Sequence, residues 1–177
     1  MCSAEACGPI TPPLHPRQGV ERDVFEELAQ IRDCACSALM IYWASMTEQR
    51  KTVEVVAAVI YDAEGRVLAT QCPPHKHNGG WEFPGGKIEP QESPQEAVVR
   101  ELREELSVTV HVGELLHTVE WDYPAFHLRM HCFACTIAEG QLQLKEHTDY
   151  RWLTPATLHS VCWLPADVDV LPHVFRS

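Results

Sequence analysis

Three glutamates, Glu101, Glu104 and Glu105, stand at i, i+3 and i+4. On a helix that spacing puts all three carboxylates on one face. Like charges at those separations destabilise a bare helix by a few tenths of a kcal/mol per pair. An ordinary solvated acidic face is the bland explanation. Three features count against it. The basic residues take other positions on the helix, and a fourth carboxylate, Glu92, lies just before the start of the segment. A tight Pro84-Gly85-Gly86 turn would also bring bare backbone carbonyls near the acids. Several carboxylates with a carbonyl, all oxygen donors, suit a hard divalent cation such as Mg²⁺, with Mn²⁺ as a substitute.

The elements that must position these groups are legible from pattern. Ser93 predicts an N-cap, with Pro94 at N1 and Glu96 at N3, a capping box that opens a helix running to Leu106. Val98, Val99, Leu102 and Leu106 form its apolar stripe, displaced around the helix from the acids. Before it, Val53 to Ile60 reads as a central strand. A turn at Ala63-Glu64-Gly65 makes a hairpin with Arg66–Thr70. Residues 73–80 read as a loop and Trp81-Glu82-Phe83 as a short extended piece. After the helix come extended segments at Val108–Trp121, Phe126–Ile137 and Tyr150–Leu153, with a turn at Ala138-Glu139-Gly140. Thr154 predicts the cap of a short helix with Pro155 at N1, and a last helix starts near Ala166. Strands on both sides of a helix, with another helix late, predict an α+β or αβα sandwich.

The acidic segment resembles a known motif. Gly86 is followed by five residues and Glu92, then by seven and Arg100, then by Glu101-Leu102-Arg103-Glu104-Glu105-Leu106-Ser107-Val108. This resembles the Nudix box in eight of nine defined positions. The departure is Ser107, where the family has a glycine that ends the helix in a left-handed turn. A serine there costs ~1 kcal/mol. The flanking WEFPGGKIE and the late Leu164-Pro165-Ala166-Asp167 resemble the MutT type of the family. That resemblance, spanning Val53 to Leu171, implies a Nudix αβα sandwich with a mixed β-sheet and a loop-helix-loop catalytic motif. It implies hydrolysis of a nucleoside triphosphate to monophosphate and pyrophosphate, with 8-oxo-dGTP as the family's best-known substrate. A CTP-preferring branch is the alternative. A catalytically silent domain that senses a nucleotide is a third reading, which the complete Arg-Glu-Leu-Arg-Glu-Glu run disfavours.

The resemblance also implies roles. Glu101 and Glu105 would be the main metal ligands, with Glu104 close by and the carbonyl of Gly85 completing the shell. Arg100 would orient the acids, and Glu92 would be structural. Glu146 occupies the loop position of a further ligand or general base; taken alone it is an ordinary loop acid. Lys87 reaches a phosphate or pairs with Glu89 or Glu92. Phe83 and Tyr123 stack a base or pack the core. Asp167 matches a position where relatives selective for 8-oxo-dGTP carry Asn. Ionised, it only accepts hydrogen bonds and suits the exocyclic amine of cytosine; protonated by burial, it also donates and suits an oxidised purine. Gln71-Cys72 stands where relatives carry an Arg near the base.

The rest of the chain bounds these readings. The 177 residues carry a net charge of −11, which argues against a nucleic-acid polymer as partner. No apolar run approaches the ~18 residues of a membrane span. Eight scattered cysteines and no signal peptide predict reduced thiols in the cytoplasm. Cys132 and Cys135 sit at i and i+3 of a predicted strand, on opposite faces, which disfavours zinc. His75 and His77 read as solvated loop residues, and His127 and His131 as sharing a strand face that lines the pocket. The expected organisation is a flexible tail at 1–19, a helical extension at 20–48 and the hydrolase domain at 49–177. Met46 is an alternative start. A monomer or homodimer is expected.

Overall fold

The computed structural model describes residues 51–175. The expected tail, helical extension and start at Met46 lie outside the described residues.

Val56 to Ile60 are buried on both faces, as the run of β-branched and small residues requires of a central strand. They belong to β1 (Thr52–Tyr61). Asp62 and Gly65, with φ 74° at Gly65, turn the chain into β2 (Val67–Gln71). Then follow β3 (Trp81–Glu82), β4 (Gly85–Lys87), α1 (Pro94–Leu106), β5 (Val108–Asp122), β6 (His127–Gly140), β7 (Asp149–Leu153), α2 (Pro165–Val168) and α3 (Leu171–Val174). Among the described residues the strands form one mixed sheet in the order β3-β2-β1-β6-β5, with β4 also on β1 and β7 also on β2. The β1–β6 pair is parallel over its whole length, from Thr52 opposite His127 to Tyr61 opposite Thr136.

One feature of the pairing positions the site. β2 meets β1 only at Tyr61–Val67, and from Ala57 to Val55 the same edge of β1 belongs to β4. The sheet therefore forks beside β1. The chain crosses from β3 on one branch to β4 on the other through Phe83-Pro84, and the Pro84 carbonyl accepts the Ala58 amide at 2.8 Å.

Two apolar layers lie on the two faces of the sheet. Alternate residues of β1 divide between them. Val56, Ala58 and Ile60 pack with Ala97, Val98, Leu102 and Leu106 of α1. Ala57 and Val59 pack with Ala166, Val170, Leu171 and Val174 at the C-terminal end. This is the α+β sandwich that the sequence predicts. Cys132 lies in the second layer and Cys135 in the first, so the two thiols do point to opposite faces. No helix among the described residues is long and apolar enough to cross a membrane.

Three expectations are corrected. Ala138-Glu139-Gly140 is the end of β6, not a turn, because Gly140 and Glu139 pair with Val108 and Thr109. Gly85-Gly86 forms strand rather than a tight turn, held by the edge of β1. No helix begins at Pro155; the Thr157 hydroxyl takes the Thr154 amide at 2.9 Å and closes a turn, and only Leu158–Ser160 forms a 3₁₀ turn.

Candidate active site

The α1 helix begins as its sequence dictates. The Ser93 hydroxyl accepts the Glu96 amide, and the Glu96 carboxylate accepts the Ser93 amide at 2.9 Å. Ala97, Val98, Leu102 and Leu106 then anchor the helix on the sheet. This fixes the rotation of the acids. The three carboxylates do not share one environment. Glu104 is 61% exposed, Glu101 only 15%, and Glu105 is buried.

Glycine is required where the sheet meets these acids. A side chain on Gly85 would collide with the Val56 carbonyl, and one on Gly86 with the Glu101 carboxylate. The bare strand thus lies against the helix, and the Gly85 amide donates to Glu105 Oε2 at 3.2 Å.

Arg100 gathers the outer acids. Its Nε and Nη2 fork onto Glu92 at 2.9 and 2.8 Å, Nη1 meets Glu101 at 2.9 Å, and Nη2 also donates to the Lys87 carbonyl at 2.9 Å. Such a planar fork is what guanidinium provides and ammonium does not. The Glu92 pairing, then the pull of Glu101, raises the Arg100 pKa further above its ordinary value. Glu92 is thereby committed to Arg100 and to the Glu89 amide, and the Lys87 side chain is exposed.

Glu105 is the electrostatic centre. Burial pushes its pKa up to about 7; His147 pulls it down, while Glu82, Glu101 and Glu146 add to the rise. Glu146 itself is exposed in the loop after β6, 4.0 Å from the Lys76 ammonium. Three carboxylates around a buried fourth, with a bare glycine backbone alongside, offer oxygen donors and excess negative charge. That donor set fits a hard divalent cation. Among the described residues no three acidic, His or Cys side chains converge to the spacing of a bound ion.

The sequence reading missed Glu82 and His147. The Glu82 carboxylate lies 3.0 Å from His147 Nε2. Burial raises its pKa, but hydrogen bonds from His147 and the Cys72 thiol outweigh it, so Glu82 is held below the usual carboxylate range. Burial, and then the Glu82 carboxylate, push the Cys72 thiol up to about 12. A charged residue between Trp81 and Phe83 in a predicted strand was the available signal, since a buried charge requires a partner.

The residues expected to meet the base gather around Asp167. Asp167 is buried, and its Oδ1 accepts the Phe83 amide at 2.9 Å. Burial pushes its pKa up to about 8, helped by Glu82 and opposed by the Phe83 amide. Tyr123 is half-buried and tilted against Phe126, with ring centroids 5.0 Å apart; burial, Asp167 and Glu82 raise its phenol pKa. Phe83 is 3% exposed and its ring lies 4.5 Å from Trp163, so core packing accounts for it. Gln71 donates from Nε2 to the Gly79 carbonyl at 3.0 Å. His127 and His131 do not join these residues. His127 bridges Glu120 and Asp122, and His131 faces Thr118 and Glu54, on the sheet face opposite Leu128, Met130 and Cys132.

Residues 51–174 match the family model described as the NUDIX domain. The chain belongs to the Nudix family. It is an enzyme, a Nudix hydrolase. The hydrolase is similar to the "CTP pyrophosphohydrolase" of Escherichia coli (strain K12), 38% identical over 122 residues that cover 68% of this chain and 90% of that protein. It is also similar to the "8-oxo-dGTP diphosphatase" of Proteus vulgaris, 40% identical over 98 residues, 55% of this chain and 88% of that protein. Among solved structures it resembles the MutT protein from Methanosarcina mazei Go1, at a TM-score of 0.65 and 26% identity over 72% of this chain and 96% of that one.

Proposed function

We propose that this Nudix hydrolase cleaves (deoxy)nucleoside triphosphates to monophosphate and pyrophosphate with Mg²⁺, and that 8-oxo-dGTP is its preferred substrate. The role would be to keep oxidised nucleotides out of DNA. The free, buried thiols of Cys72, Cys132 and Cys135 support a reducing compartment, the cytoplasm.

Glu101, Glu104 and Glu105, the Gly85 carbonyl and Glu146 would hold the metal. Bound there, Mg²⁺ supplies neutralisation of phosphate charge and activation of a water. Arg100 keeps Glu101 and Glu92 in register, and Lys87 reaches for a phosphate. Glu146, exposed on the open side of the cluster, accepts the proton of the attacking water. Tyr123 offers its ring to the base.

Asp167 carries the choice of base. With a pKa of about 8 it is a neutral acid at pH 7, with one O–H donor besides its acceptors. Guanine presents two acceptors, N7 and O6, on that edge. Oxidation at C8 turns N7 into an N–H, so the edge becomes one donor and one acceptor, the complement of a neutral carboxyl. Cytosine also offers a donor beside an acceptor, and the similarity to the CTP pyrophosphohydrolase favours that as the second reading.

Pyrophosphate release is measured with Mg²⁺ on 8-oxo-dGTP, dGTP, CTP, dCTP, 5-methyl-dCTP and ADP-ribose. Preference for 8-oxo-dGTP over dGTP is expected. A preference for the cytosine nucleotides transfers the enzyme to the second reading. Absence of turnover on all of them refutes both.

A further inference from the structure

The loop that carries Glu146, residues 141–148, has no regular secondary structure, and its residues are exposed or half-buried except one. It is nevertheless tied at both ends. The Gln143 amide donates to the Leu106 carbonyl and the Lys145 amide to the Glu105 carbonyl, each at 2.9 Å. On the far side the Thr148 amide donates to the Gln71 carbonyl at 3.0 Å. Between these ties His147 turns inward. Its side chain is 2% exposed, and Nε2 meets Glu82 Oε1 at 3.0 Å. Glu82 is a firm anchor, paired through β3 to Thr70 and hydrogen-bonded by the Cys72 thiol.

His147 Nδ1 is buried and has no hydrogen-bond partner. Leaving a buried ring nitrogen unpaired disfavours an imidazole as mere filling, and an apolar side chain would pack there without that cost. The single contact with Glu82 is therefore what distinguishes histidine at this place. We propose that His147 is a positioning residue: its imidazole, clamped on Glu82, fixes Glu146 on the open side of the acidic cluster. This rests on the reading of Glu146 as metal ligand or base.

The test uses the full chain with His147→Gln, His147→Asn, Glu146→Gln and the double variant of the last two. A glutamine amide nitrogen reaches where Nε2 lies; an asparagine is too short. Mn²⁺ binding without substrate is read by electron paramagnetic resonance, and pyrophosphate release gives kcat and KM. Partners that orient metal ligands typically contribute about tenfold or more. His147→Asn should weaken Mn²⁺ binding and lower kcat by about that factor with KM little changed. His147→Gln should recover most of both, and His147→Asn should add nothing to Glu146→Gln. Wild-type behaviour of His147→Asn, equal damage by Asn and Gln, or additivity with an impaired Glu146→Gln overturns the proposal. A Glu146→Gln enzyme equal to wild type overturns instead the reading of Glu146. Should His147→Asn not fold, Glu82→Gln loosens the same clamp from its other end and replaces it in the cycle.

Discussion

Asp167 is one buried group whose protonation bears on stability and, in the proposed function, on recognition of the base. Its carboxyl has an ordinary pKa of 3.8 and is pushed up to about 8 in the folded chain, first by burial. Between those values the unfolded chain has lost the proton and the folded chain keeps it. Stability therefore falls as pH rises from about 4 to about 8, by at most ~1.4 kcal/mol per pH unit for one proton. Asparagine has the same shape, accepts the Phe83 amide through its oxygen and carries no titrating proton. Asp167→Asn should flatten that part of the pH dependence, so its advantage over wild type grows from pH 5 to pH 8 in urea melts. An unchanged slope would mean that Asp167 is ionised in the folded state at neutral pH. The same variant retains a donor beside an acceptor, so turnover of 8-oxo-dGTP should survive it. An alanine at this position should abolish the preference for the oxidised base.

At the scale of elements, α1 carries its own strain and its own legibility. Ser107 ends the helix at φ 58° and ψ 31°, with its amide turned back to the Arg103 carbonyl at 3.2 Å. An L-residue in that left-handed region costs about 1–2 kcal/mol, which glycine avoids. Ser107→Gly should therefore stabilise the protein by ~1 kcal/mol, raising Tm by about 2–4 °C in a chain of this size, with activity unchanged. A lower Tm would mean that the serine makes a compensating contact. The capping box and the apolar stripe of α1 were legible, because a helix writes its contacts within four residues; that Glu105 turns inward from the acidic face was not. β4 and the end of β6 were not. Gly85-Gly86 and Gly140 read locally as turns, yet β1 and β5 hold them as strand from far along the chain. The site divides in the same way. Glu101, Glu104 and Glu105 could be grouped from spacing and Arg100 joined to them by the family resemblance, whereas Glu82 and His147 meet across 65 residues and leave no periodic trace.

The molecule as a whole accepts an electrostatic burden at one place. Its net charge is −11, and Glu82 of β3, Glu101 of α1 and Glu146 of the loop all bear on the buried Glu105. Burial and mutual repulsion make the metal-free folded state less stable than the packing alone would give. A divalent cation that binds only the folded state relieves this, and at ten times its Kd it adds about 1.4 kcal/mol. That corresponds to roughly 3–6 °C in Tm for a protein of this length. Mg²⁺ should raise Tm by that amount at pH 8, where NaCl at matched ionic strength should not. Glu105→Gln removes the buried charge, so at pH 8 it should start from a higher metal-free Tm and gain little from Mg²⁺. A Mg²⁺ shift of wild-type size in Glu105→Gln would place the cation elsewhere on the acidic surface. A shift reproduced by NaCl would reduce the effect to screening of the −11 charge. The thermal shift needs no substrate, so it tests the proposed metal site independently of whichever base the enzyme prefers.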